Sequence, residues 1–191
     1  MPVPMTTRTT SPNLPDGKFK LVDIGDADIV HTDTLQSHAS IEAGVRTILE
    51  AGALPVVLGG DHSINIPCIN AFDGQGPIHV VQIDAHLDFV DERHGVRYGH
   101  GNPMRRAAEK DYVTGLSQIG IRNVSSTARE GYEDARRMGS DILSVRQFRA
   151  LGVDGVLARI PEGAELCRNL GDGLIRRRFV SAAQLRHRRR T

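Results

Sequence analysis

An α/β fold with a mostly parallel sheet is what this sequence predicts, and three observations predict it. The apolar runs LPVVLGG (54–60), PIHVVQI (77–83) and LSQIGIR (116–122) do not alternate with polar residues, as expected of strands covered by helices on both faces. Stretches with helical apolar spacing separate them. Gly, Asp or Pro punctuates most junctions. The implied architecture is a three-layer αβα sandwich.

Taken in order, LVDIGDADIV, from Leu21, has the apolar content of a first strand, and Asp33 then stands where a helix N-cap is needed. Leu35, Ala39, Ile41, Val45, Ile48, Leu49 and Ala51 approximate the i, i+3, i+4 pattern of a helix buried on one face, with Gly52 placed to stop it. LPVVLGG is the next strand, and a short helical stretch follows Asp61. PIHVVQIDAH returns to a buried strand. A long loop holding His100 comes next, then a helix from about Pro103 to Lys110, proline being suited to a first turn. LSQIGIR is a third strand, TAREGYEDARRMG a polar-faced helix closed by Gly139, DILSV a fourth and shorter strand, and 153–160 a last helix ending at Pro161.

At 191 residues, with 39% apolar and 25% charged, the chain reads as one globular domain, and no run of 18 apolar residues is present to span a bilayer. Residues 1–20 read as a disordered lead-in without the apolar segment of a signal peptide, which predicts a cytoplasmic protein. Cys68 and Cys167 are widely separated and read as two reduced thiols. The net charge of +1 points to neither nucleic acid nor membrane, but it conceals a split. From Ala164 to Thr191 eight arginines face only Glu165 and Asp172, which leaves 16 basic and 21 acidic residues in the rest of the chain. The expected organisation is therefore a lead-in over 1–20, an α/β domain over 21–163 and an arginine-rich tail over 164–191.

Chemistry concentrates in VVQIDAHLDF. Residues two apart share one side of an extended chain, so Asp84, His86 and Asp88 are expected to project together at the carboxyl end of a strand, where α/β sheets gather ligands. Two adjacent carboxylates out of water need a cation. LPVVLGG delivers His62 at its own carboxyl end, and if the two strands are neighbours all four side chains meet in one crevice. Mixed imidazole and carboxylate donors suit manganese, zinc or ferrous iron, and four of them with a shareable aspartate point to two ions. His31, His38 and His79 read as ordinary surface or core histidines. Gly59-Gly60 is a poor phosphate cradle, because an aspartate follows it.

GGDHS (59–63), DAHLD (84–88) and the histidine of GHGNP (99–103), in this order and at these spacings, resemble the ureohydrolase (arginase/agmatinase) family over roughly 21–163. The wording VDIGDADIV, LPVVLGGDHS and QIGIR is more similar to its agmatinase and guanidinobutyrase branch. The resemblance implies a binuclear manganese centre in which His62 and Asp88 bind one ion, His86 binds the other and Asp84 bridges them. It further implies that His100 carries a proton during hydrolysis of a linear guanidino compound to urea and an amine. Homo-oligomers are common in that family. The family's later Asp-x-Asp ligand pair and downstream glutamate have no counterpart after Gly163, so the metal set is expected to be incomplete and turnover impaired, with a non-catalytic, weakly metal-binding protein as the alternative. The abrupt shift to arginine suggests translation out of frame from about Ala164, which the coding DNA would reveal as a second frame encoding a strand with two aspartates; a nucleic-acid-binding arm is the less favoured reading.

Overall fold

The computed structural model describes residues 22–161 and two further strands, Glu165–Leu170 and Gly173–Arg178. Among the described residues one sheet contains β1 (Val56–Val57), β2 (Ile78–Ile83), β3 (Val113–Ile121), β4 (Ser140–Ser144), β5 (Glu165–Leu170) and β6 (Gly173–Arg178), in the order β1-β6-β5-β2-β3-β4. β5, β2, β3 and β4 are parallel to one another, and β6 runs against both of its neighbours, so the sheet is mostly parallel. The lead-in over 1–20 and the remainder of the arginine-rich tail, Asp172 included, lie outside the described residues.

Alternation along β2 shows how the layers arise. Ile78 and Val80 belong to one buried cluster with α1 (Thr34–Glu50), α2 (Asn65–Asn70), α3 (Pro103–Ala108) and α4 (Arg129–Arg137), while Val81 joins Ile119, Leu143 and α5 (Val145–Leu157) in a second. Side chains one residue apart point to opposite faces of a strand, so the helices cover both faces of β2 and β3. Phe72, Phe89, Met104 and Leu116 are fully buried in the larger cluster.

α1 begins where Asp33 accepts a hydrogen bond from the Gln36 amide at 2.9 Å. Its buried stripe is Ser37, Ile41, Val45 and Leu49, each four residues from the last. Leu35 is 61% exposed, so the stripe sits one position away from the side that the apolar count alone suggests. α5 starts eight residues earlier than expected, because Ser144 and Gln147 form a reciprocal capping box, and it kinks at Gly152, where φ is 67°.

Two expected strands depart further. The stretch from Val22 to Val30 forms no strand, and Val22, Ile29 and Val30 lie exposed. LPVVLGG contributes only Val56–Val57 to the sheet, at its edge, with Leu58 86% exposed. β1 is also not the neighbour of β2, since β6 and β5 lie between them. Three strand spacings amount to about 14 Å. The five-residue step from Val57 to His62 can span up to about 17 Å, so the loop 58–61 closes the distance.

That loop turns on two left-handed glycines, Gly59 (φ 93°) and Gly60 (φ 72°). A Cβ on Gly60 would stand 2.6 Å from Ile64 Cγ2, whereas one on Gly59 meets open space. Gly60→Ala is therefore expected to cost about 2–3 kcal/mol and Gly59→Ala about 1–2 kcal/mol, measured as shifts in urea midpoint; equal costs would show that the clash relaxes freely. A second prediction concerns His79, buried in β2 with Nε2 2.9 Å from Ser117 Oγ. Burial pushes its pKa below the usual imidazole value, against the opposing pull of Asp141. The unfolded chain thus takes up this proton first, so the contribution is complete above about pH 6.5 and is lost as pH falls through the folded pKa. His79→Gln should flatten part of the decline in melting temperature between pH 7 and 5; an unchanged slope would contradict the assignment.

Candidate metal centre

β2 ends at Ile83, and the chain bends at once. Asp84 Oδ1 accepts a hydrogen bond from the His86 amide at 2.8 Å, an aspartate turn closing on the residue two ahead. The backbone does not stay extended, so Asp84, His86 and Asp88 do not share a side in the simple way the spacing suggests. Leu87 and Phe89 are fully buried and anchor the turn in the core. Asp88 adopts φ 51°, a left-handed conformation that aspartate tolerates better than most residues, and its carbonyl accepts from the Met104 amide in α3 at 3.1 Å.

His62 arrives from a single 3-10 turn, His62–Ile64, capped by the Asp61 side chain. Its Nδ1 lies 2.5 Å from Asp88 Oδ2 and 3.8 Å from Asp84 Oδ2, and donor atoms of all three residues fall within 4.8 Å of one another. These side chains are 10%, 10% and 16% exposed for His62, Asp88 and Asp84. Bonds of about 2.0–2.2 Å to nitrogen or oxygen put two donors on one divalent ion at most about 4.4 Å apart, a limit that both His62 distances satisfy. The three residues form a group that could hold a metal ion, with His62 and Asp88 at hydrogen-bond distance from each other. The other Asp84 oxygen, Oδ1, lies 3.2 Å from His86 Nδ1. His86 is outside the tight group, and its side chain is 45% exposed.

His100 is exposed on the loop before α3. It is close enough to act electrostatically on Asp61, whose pKa burial would raise but which hydrogen bonds from Ser63 and the charges of His100 and His38 hold below the carboxylate range. His38 of α1 is buried beside Ser63, 3.4 Å from its hydroxyl, and meets the Tyr98 ring edge-on at 6.5 Å. The histidine read as an ordinary core residue thus joins α1 to the segment carrying His100. Hydrogen bonds from Arg106 and Arg97 to Asp91 tie the same loop to α3 and hold the Asp91 carboxyl below its usual range, the Arg106 bond contributing most. His94 lies exposed at φ 52°.

Two residues near the cluster escape a reading by hydropathy. Gln82 and Gln118 are fully buried, pair in register across β2 and β3, and reach the Asp88 turn. Their only sequence signal is one glutamine inside each of two apolar runs, VVQID and LSQIG.

Comparison with known proteins agrees with this geometry. The arginase family matches residues 4–169. A guanidinopropionase of Pseudomonas aeruginosa is 38% identical over 140 residues, covering 71% of this chain and 43% of the relative. The guanidinobutyrase of the same organism is 32% identical, over 78% of this chain and 47% of that protein. Among solved structures, formimidoylglutamase from Bacillus subtilis superposes with a TM-score of 0.65 at 31% identity, over 72% of this chain and 44% of that one. The agmatine ureohydrolase of Thermoplasma volcanium also gives 0.65, at 26% identity, over 78% and 50%. The chain spans less than half the length of these curated relatives. On the family match and the shared fold, the chain belongs to the arginase family.

Proposed function

We propose that this chain is a manganese-dependent hydrolase of a linear guanidino compound, agmatine or a short guanidino acid, yielding urea and an amine. The observation that carries the reading is the convergence of His62, Asp84 and Asp88 within 4.8 Å, with His86 against the second oxygen of Asp84. In this reading His62 and Asp88 hold one ion, His86 holds a second, and Asp84 serves both. When bound, divalent ions would supply the activation of water needed to attack a guanidinium carbon, a poor electrophile, near neutral pH. In this reading His100, exposed on the loop before α3 and near enough to act on Asp61, carries the proton that the departing nitrogen requires. The relatives named for guanidinopropionate and guanidinobutyrate support a guanidino substrate.

A second reading, a weakly metal-binding protein without turnover, is favoured by one observation. β5 lies parallel beside β2 and carries ELCRNL, so it offers no Asp-x-Asp pair to the cluster. Low turnover is expected on the same ground.

One assay separates the two. Purified protein loaded with Mn²⁺ should release urea slowly from at least one of agmatine, guanidinobutyrate and guanidinopropionate. His100→Ala should lower kcat about 10²–10⁴-fold without changing the melting temperature. Weak Mn²⁺ binding with no urea from any of the three substrates would establish the second reading, and tight binding of two ions with no turnover would contradict both.

A further inference from the structure

We propose that Gln118 and Gln82 form a two-amide relay that aims Asp88 as a metal ligand, making both of them positioning residues for the centre. The inference rests on the metal-site reading above and concerns how this chain prepares one of its ligands.

The polarity of the relay follows from its hydrogen bonds. Gln118 Nε2 donates to the Leu87 carbonyl at 2.6 Å and to Gln82 Oε1 at 2.6 Å. The Leu87 carbonyl can only accept, and reversing the Gln118 amide would set two oxygens against each other, so its orientation is fixed. With Gln82 Oε1 committed to Gln118, the Gln82 NH₂ must face the other way. There it donates to the His86 carbonyl at 3.3 Å and to Asp88 Oδ2 at 3.4 Å. One strand thus sets the amide on the next, and that amide presents only N–H to a carboxylate.

The three acceptors are consecutive, the carbonyls of His86 and Leu87 and the side chain of Asp88, so the relay grips the whole left-handed turn. It lies on the sheet face that carries Ile78 and Val80, beside the larger apolar cluster of the core. Gln118 Oε1 is buried without a hydrogen-bond donor among the described residues. A buried glutamine with one half unsatisfied is a poor choice for packing alone. Donors aimed at a ligating carboxylate stabilise its anionic form and limit its rotamers.

The test uses the full chain with Mn²⁺ as probe, read by calorimetry and by the electron paramagnetic resonance of free and bound Mn²⁺, beside urea unfolding in chelator. Gln82→Met should weaken Mn²⁺ binding about 10–100-fold. Gln118→Met, which does not touch Asp88, should weaken it by a similar factor, and the double variant by little more than either, because both changes break one chain of contacts. If Gln82→Met fails to fold, Gln82→Asn, whose shorter amide cannot span Gln118 and Asp88, takes its place, with the same expected loss. Variants less stable in chelator that bind Mn²⁺ as the wild type does would overturn the relay and leave the metal centre standing. Absence of Mn²⁺ binding by the wild type, or unaltered binding by Asp88→Asn, would overturn the metal centre and the relay together.

Discussion

Asp84 and Asp88 lie largely out of water on either side of one imidazole, and the local structure follows from the difficulty of keeping them there. Removing an ionised carboxylate from water costs several kcal/mol, and a second like charge nearby adds repulsion. The fold meets part of that cost with N–H donors, the His86 amide on Asp84 and the Gln82 amide on Asp88, while His62 Nδ1 lies at hydrogen-bond distance from Asp88. None of these carries a full permanent charge of its own. A bound cation would supply the balance, as arginine or lysine would in a structural ion pair. Among the described residues the arginines that form ion pairs do so elsewhere, with Glu42, Asp91, Glu109, Glu133, Asp134 and Asp141.

Those arginines perform a different task. Arg106 is 5% exposed and bonds to both Asp91 and Glu109, while Arg105 links Glu109 to Asp134 on α4. Exposed pairs of this kind contribute up to about 1 kcal/mol each, but a buried arginine left without its partner costs several. The network therefore fixes the loop that begins at Asp91 to the helix that follows it. His100 lies on that loop, and Tyr98 meets His38 from the opposite side. The loop is largely exposed yet held by the Arg106–Asp91 bond and the Tyr98–His38 contact.

The sequence made the chemistry more legible than the geometry. β2 and β3 could be read because both faces of each are covered, so hydrophobic side chains fill consecutive positions. LPVVLGG has the same composition but lies at the edge beside β6, and composition alone does not distinguish an edge strand from a central one. Capping chemistry located the start of α1, since Asp33 acts through a local hydrogen bond that needs no tertiary context, whereas apolar spacing puts the start of α5 eight residues late because it takes no account of the Ser144–Gln147 box. The meeting of His62 with Asp84 and Asp88 could be anticipated from their places at strand ends, but the period-two argument missed the turn in which Asp84 captures the His86 amide and bends the chain. Gln82 and Gln118 were hidden because hydropathy counts a glutamine as a defect in a strand. Only the register, which sets the two side by side, shows that they act together.

Exposure within the cluster is graded, and the grading bears on what it can do. His62 and Asp88 are 10% exposed, Asp84 16% and His86 45%. Donors closed off from water hold an ion but leave substrate no approach, and structural metal sites are built in that way. Catalytic sites keep a position open. Here the dry side is made by His62 and Asp88, both anchored to the core, and the wet side by His86, turned outward by the bend at Asp84. The Asp84 carboxylate spans the two, with one oxygen toward each. Anything approaching from the wet side would meet His86 first and the buried pair last, so the bend that spoils the simple alternation of the strand also leaves one side of the cluster accessible.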